Sequence, residues 1–155
     1  MSVPFRDPDL PIEERVEDLL RRLNLPDKVS LLRFDSPAIE RLGVPAHVWW
    51  NEAMHGVSRA GLATMFPQSI GLAASFDTDL VERIADVIAT EARAKHHEFA
   101  RRGDRGIYKG LVAWSPNINI YRDPRWGRGH ETYGEAPYLT GEIGLAFVRG
   151  FQRRD

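Results

Sequence analysis

From Trp114 to Pro137 the chain reads W-S-P-N-I-N-I-Y-R-D-P-R-W-G-R-G-H-E-T-Y-G-E-A-P, and no regular element can run through it. Pro116 and Pro124 lack backbone donors, which forbids a continuous helix or a central strand. Gly127, Gly129 and Gly134 let the backbone turn where a side chain would clash. A long loop is therefore predicted, bearing Arg122, Arg125, Arg128, Asp123, Glu131, Glu135, Tyr121, Trp126 and Tyr133. Two readings of it stand: a packed loop stapled by arginine–carboxylate pairs, or a binding loop for a polar ligand. A mere connection has no need of so many rings and paired charges, so binding is favoured. Rings stack on the apolar faces of sugars, while carboxylates and guanidinium forks fix hydroxyls by charge-assisted hydrogen bonds. A nucleic-acid surface would want a basic excess, whereas the formal net charge is −1 and the neighbouring acids would repel phosphate. A sugar is expected, and no nucleic acid.

The absence of cysteine removes disulfides and thiol chemistry. No apolar run is long enough to span a bilayer, so no membrane partner is expected. The N-terminus lacks the basic-then-apolar pattern of a leader, which makes a cytoplasmic location the expectation.

Along the chain, Pro11 suits a first helical position, and Ile12, Val16, Leu19, Leu20 and Leu23 form one apolar stripe. Asn24 and Pro26 end that helix, and a short further turn is predicted over Asp27 to Leu32 with Val29 and Leu32 inward. His47-Val48-Trp49-Trp50 reads as a short buried strand, with Asn51 to Gly56 as the polar loop at its C-terminal end. An acid (Glu52) and a histidine (His55) at such a place suit α/β enzyme chemistry, or a pair that merely buttresses a turn. His47, Glu52 and His55 lack the helical spacing of a zinc site. A second short apolar segment runs from Met65 to Ala74. Asp77 reads as the cap of a long helix from Thr78 to about Arg102, with Leu80, Ile84, Val87, Ile88 and Ala92 buried and Gly103 after its end. Glu91–Lys95 and Glu98–Arg102 read as surface i,i+4 pairs, and His96 and His97 as surface residues near the C-terminus. Leu111-Val112-Ala113-Trp114 is a further apolar strand from which the long loop leaves, and Pro137 opens a last helix with Leu139, Ile143, Ala146 and Phe147 inward. Gly144 and Gly150 allow that helix to pack closely. Continuous apolar strands alternating with amphipathic helices imply a parallel βα arrangement, either a barrel or a doubly wound sheet.

Trp50–Val57 (W-N-E-A-M-H-G-V), Phe66–Asp77, Glu91–Lys95 (E-A-R-A-K) and Trp114–Gly141, with its R-D-P-R-W-G-R block, resemble the N-terminal part of glycoside hydrolase family 3, in the family's order and spacing. The W-N-E-A-M-H-G form is similar to the branch holding β-xylosidases, with some bacterial β-glucosidases beside it. The resemblance implies an α/β fold: the N-terminal portion of a (β/α)8 TIM-like barrel, truncated after about two strand–helix units, since a complete barrel takes about 250 residues. Residues 1–155 would form a single partial domain, with 1–45 as lead-in and helices and 46–155 as the first βα units. It also implies a retaining exo-β-glycosidase without metal or cofactor. Its partners would be β-linked xylo- or gluco-oligosaccharides or aryl glycosides.

Carried over by motif, Glu52 matches the acid that holds hydroxyls of the non-reducing-end sugar, and Arg128 the arginine gripping that sugar. Asp123, Arg122 and Glu131 are expected to brace the loop, and His55 to stand behind the contacts. A retaining glycosidase needs two carboxyl groups about 5–5.5 Å apart. Glu52 and Glu131 would be tempting, but the resemblance implies a nucleophile and an acid/base beyond Asp155, hence no catalytic residue in this chain. The alternative is a non-catalytic sugar-binding protein or a truncated gene product. Two positions depart from the family: Ala136, where it commonly has an aspartate before the helix-opening proline, and His130 beside the arginine loop. Strands cut from a barrel would leave an open edge and an apolar face, so self-association is expected.

Overall fold

The structure is a computed structural model and describes residues 3–152. The chain divides into two compact units, Met1–His47 and Val48–Asp155.

In the first unit, α1 (Ile12–Arg22) forms as predicted, with Pro11 as its cap residue rather than its first helical one. Asp18 accepts from Phe5 N (3.1 Å), and Arg15 Nε donates to Phe5 O (3.2 Å), tying the lead-in to the helix. The predicted stripe is only partly covered: Leu23 is buried, but Ile12, Val16 and Leu20 are exposed. Asn24 does not merely stop α1. It opens α2 (Leu25–Ser30), its side chain accepting from Asp27 N (2.9 Å) while Asp27 accepts from Asn24 N (3.0 Å). Val29 and Leu32, expected inward, are exposed: among the described residues of this small unit nothing covers them.

The expected strands are corrected most. The first apolar run contributes a strand only at His47–Val48 (β2), which pairs with Asp35–Ser36 (β1). It meets the second run through a single parallel bridge, Asn51 with Ala113, where Trp114 N donates to Asn51 O (2.9 Å). The parallel direction is as expected, but regular strand is nearly absent among the described residues. A parallel pair is held by its neighbours on both sides and both faces, and among the described residues no further strand pairs with either run.

The helices of the second unit carry its core. The Met65–Ala74 segment contains a short helix, α3 (Ser69–Ala73). Asp77 caps α4 (Thr78–Arg101), accepting from Leu80 N (2.8 Å), and beyond its end Asp104 N donates to Phe99 O (2.9 Å) across Gly103. Its buried face is Val81, Ile84, Ala85, Ile88 and Ala89, whereas Val87 faces out. α5 (Pro137–Phe151) lies against α4 with Ile143, Ala146 and Phe147 buried. Gly150 permits this approach, since a Cβ there would sit 2.1 Å from Glu82 O. Tyr133 and Leu72 complete the cluster.

Candidate sugar-binding site

Asn51 is buried and staples the ends of the two apolar runs. Its Oδ1 accepts from Gly110 N (2.8 Å) and its Nδ2 donates to Val112 O (3.0 Å). Ala53 N donates to Ser115 Oγ (3.1 Å), so Glu52 is anchored on both sides. The same junction brings Trp50 and Trp114 into a stack, with ring centroids 4.8 Å apart.

The long loop returns to this place through a turn at Gly129–Glu131. Gly129 is required there, because a Cβ would lie 2.4 Å from the Tyr121 ring. Arg128 Nε donates to Glu131 Oε2 (2.8 Å), and a second guanidinium nitrogen contacts the same oxygen. This pairing raises the Arg128 pKa, with a smaller push from Glu52, and holds the Glu131 carboxyl below its ordinary value against some desolvation.

The result is an open pocket of about 440 Å³ lined by Trp50, Glu52, His55, Trp114, Arg128 and Glu131, together with Arg59, Gln68 and His130. Glu52, Arg128, Glu131 and His55 thus meet in one place. Arg122 and Asp123 do not: they line a separate depression of about 260 Å³ with Trp126. Asp123 braces Arg125, accepting from its Nε (2.9 Å), and Arg122 donates to Ile120 O (3.2 Å). His55 buttresses the floor, its Nδ1 3.2 Å from Phe66 O and its Nε2 3.2 Å from the Gln68 amide nitrogen. One tautomer satisfies both contacts, with Nδ1 donating to the carbonyl and Nε2 accepting from the amide.

The roles of four residues were not legible in the sequence. Arg59 pairs with Glu52 (3.1 Å) and lies over the Tyr108 ring at 5.4 Å from its centroid. Glu91 and Lys95 are not simply a surface pair. Glu91 accepts from Thr64 N (3.0 Å) and Thr64 Oγ1 (2.7 Å), and Lys95 Nζ donates to Val57 O (2.6 Å). Burial pushes the Lys95 ammonium pKa down, with Glu91 opposing. His96, read as a surface residue, has Nδ1 2.8 Å from Lys109 O.

Two carboxylates, two guanidiniums and two stacked indoles around one open pocket form a chemistry suited to a neutral polyhydroxylated ligand with apolar ring faces. Residues 18–155 match the glycosyl hydrolase family 3 N terminal domain. A xylan 1,4-beta-xylosidase of Xylanibacter ruminicola is 45% identical over 153 residues, covering 97% of this chain and 18% of that protein. A probable beta-D-xylosidase 7 of Arabidopsis thaliana is 49% identical, covering 93% of this chain and 19% of its own length. Among solved structures, a GH3 exo-beta-xylosidase in complex with a xylobiose aziridine activity based probe superposes with a TM-score of 0.82 at 31% identity, covering 96% of this chain and 19% of the other. A beta-glucosidase of Kluyveromyces marxianus gives a TM-score of 0.70 at 34% identity, over 88% and 16% of the two chains. The chain spans about a fifth of the length of these relatives.

Proposed function

This chain belongs to glycosyl hydrolase family 3, whose members are glycosidases, and from that premise we propose that it supplies the grip on the non-reducing-end sugar of a retaining exo-β-glycosidase. The ligands are β-linked xylo- or gluco-oligosaccharides or aryl glycosides, with xylosides favoured by the xylosidase names of its relatives. Glu52 accepts hydrogen bonds from the sugar's hydroxyls and Arg128 donates to them. The observation that carries this reading is their convergence on one open pocket walled by Trp50 and Trp114. In this reading the chain is the opening portion of a (β/α)8 barrel.

The nucleophile and the acid/base lie outside these residues. A general acid needs a raised pKa, so that its proton is present at working pH. Glu131 is driven the other way by Arg128, so it is not set up as a proton donor. The Arg128–Glu131 pairing also favours a second reading, sugar binding without hydrolysis.

The deciding experiment is twofold: turnover of aryl β-xyloside and β-glucoside by the purified chain, and calorimetric titration with xylobiose, each with Glu52→Ala and Arg128→Ala. Binding without turnover, weakened in both variants, is the expected result. Turnover abolished by either substitution would mean that the chemistry is done within this chain. No binding, or binding indifferent to both substitutions, would remove the sugar reading.

A further inference from the structure

The turn at Ser58–Ala60 carries Arg59 into the pocket, and it has no sheet to hold it. Instead α4 grips it on both sides with two side chains four residues apart. Lys95 Nζ lies 2.6 Å from Val57 O before the turn, and 3.4 and 3.3 Å from Gly61 O and Leu62 O after it. Glu91 takes Thr64 N and Oγ1 farther along. A loop whose carbonyls and amide are satisfied this way has few alternative conformations.

The far side of Arg59 is set with equal care. Its guanidinium lies over Tyr108, whose backbone is left-handed (φ 64°) and whose N–H donates to Trp50 O (3.2 Å). A left-handed tyrosine is uncommon and costs energy, and such strain clusters where a side chain must be held in one direction. Arg59 is thus fixed between a ring and the Glu52 carboxylate, with Nε 3.1 Å from Oε2.

We propose that Arg59 is a positioning residue for sugar recognition: it fixes the direction in which Glu52 presents its carboxylate to a sugar's hydroxyls, and Glu91 and Lys95 of α4 hold the turn that carries it. This inference rests on the sugar-binding reading of the same pocket. One Glu52 oxygen is committed to Arg59, so the other is the one left to accept from a hydroxyl. A carboxylate free to rotate would lose that preorganisation when a ligand arrives.

Two measurements on the 155-residue protein test it. The first is xylobiose titration of the wild type, Glu52→Ala, Arg59→Ala, Arg59→Lys, Lys95→Met and the Glu52→Ala/Arg59→Ala double variant. The Arg59–Glu52 pair is solvent-accessible, so Arg59→Ala is expected to weaken binding about three- to fivefold, with Lys95→Met in the same direction and Arg59→Lys recovering part of the loss. The double variant should bind no more weakly than Glu52→Ala alone, since Arg59 acts only through Glu52. Independent, multiplying losses would overturn the proposal. So would an Arg59→Ala variant that binds like the wild type while Glu52→Ala is impaired. Failure of Glu52→Ala itself to weaken binding would instead overturn the sugar reading on which this one stands.

The second measurement needs no sugar. The ring current of Tyr108 should shift the Arg59 side-chain resonances in the wild type, and that shift should shrink in Glu52→Gln and in Lys95→Met. No such shift in the wild type, or a full shift in a Lys95→Met variant with an unchanged melting curve, would overturn the positioning given to Arg59 and to α4.

Discussion

The α4–α5 pair and the Leu111–Trp114 run are both rich in apolar residues, yet they end in opposite conditions. Val81, Ile88, Ile143 and Phe147 are fully buried, while Leu111, Val112 and Trp114 are 42%, 48% and 49% exposed. The difference lies in what each backbone requires. A helix satisfies its own N–H and C=O groups and needs only one face covered, which a second helix can do. A strand of a parallel sheet is held by neighbouring strands and by a layer on each face, and among the described residues the Leu111–Trp114 run has one bridge, at Ala113. Stability in this chain therefore concentrates where the structure is locally complete. The pocket lies on the other side of that divide, where Trp50 and Trp114 stack in a partly open setting.

The largest expected effects test that contrast directly. Phe147→Ala empties a fully buried site and should cost about 3–5 kcal/mol, enough to unfold a marginal domain. Leu111→Ala, at a half-exposed position, should cost less than about 1 kcal/mol. Urea denaturation of both variants, with the slope compared as well as the midpoint, measures this. Equal losses would mean that the strand run is as well packed as the helices, and would break the comparison.

The same divide governs what was readable beforehand. Asp77 as a cap, Gly103 after α4 and Pro137 at the start of α5 were legible because each acts within a few residues of itself. Asn24 is legible too, as the first half of a capping box with Asp27, although the proline two residues on makes it look like a terminator alone. The strand lengths were not legible, because strand formation depends on neighbours that local sequence does not specify. In the site, the convergence of Glu52 and Arg128 was expected from the family motifs, and Arg59 had no motif to mark it. Glu91 and Lys95 look like partners of each other in sequence, since the i,i+4 rule assumes nothing better is within reach. Here the loop ahead of α3 offered both of them backbone groups.

Local completeness can also be improved locally. Ala136 stands at the cap of α5 with extended backbone (φ −81°, ψ 120°) and no side-chain acceptor. Ala136→Asp should supply one to the first-turn N–H groups and place a negative charge at the helix's positive end, adding about 1 kcal/mol. A thermal melt measures the gain. An unchanged melting temperature would mean that the first turn of α5 already satisfies its donors some other way.

Tyr133 gives a smaller effect and marks the core by its pH response. Its phenol is buried, has no hydrogen-bond partner among the described residues, and burial pushes its pKa well up. Tyr133→Phe should therefore be neutral or stabilising by up to about 1 kcal/mol at pH 7. Because the folded value exceeds the unfolded one, the native state keeps this proton where the unfolded chain releases it. The contribution is complete below about pH 10 and lost as pH rises further. Tyr133→Phe should flatten the alkaline fall in urea midpoint, and a fall of unchanged steepness would remove Tyr133 as its cause.

Glu131 gives the smallest effect, and its sign is opposite. Arg128 holds its folded pKa below the ordinary carboxylate value, so the contribution is present above that value and lost as pH falls through the lower folded one. Arg128 is largely solvent-exposed, so screening should keep the effect under about 1 kcal/mol and reduce it further in salt. Glu131→Gln should flatten the acid limb of the stability profile and leave the alkaline limb intact. Tyr133→Phe should do the reverse. Each substitution acts on the limb set by its own pKa, so separate limbs are expected even of one cooperative unit. Cooperativity is read instead by following the acid titration with tryptophan fluorescence and with helical circular dichroism: coincident transitions mean one unit, and an earlier fluorescence change means that the pocket loosens while the α4–α5 pair remains folded.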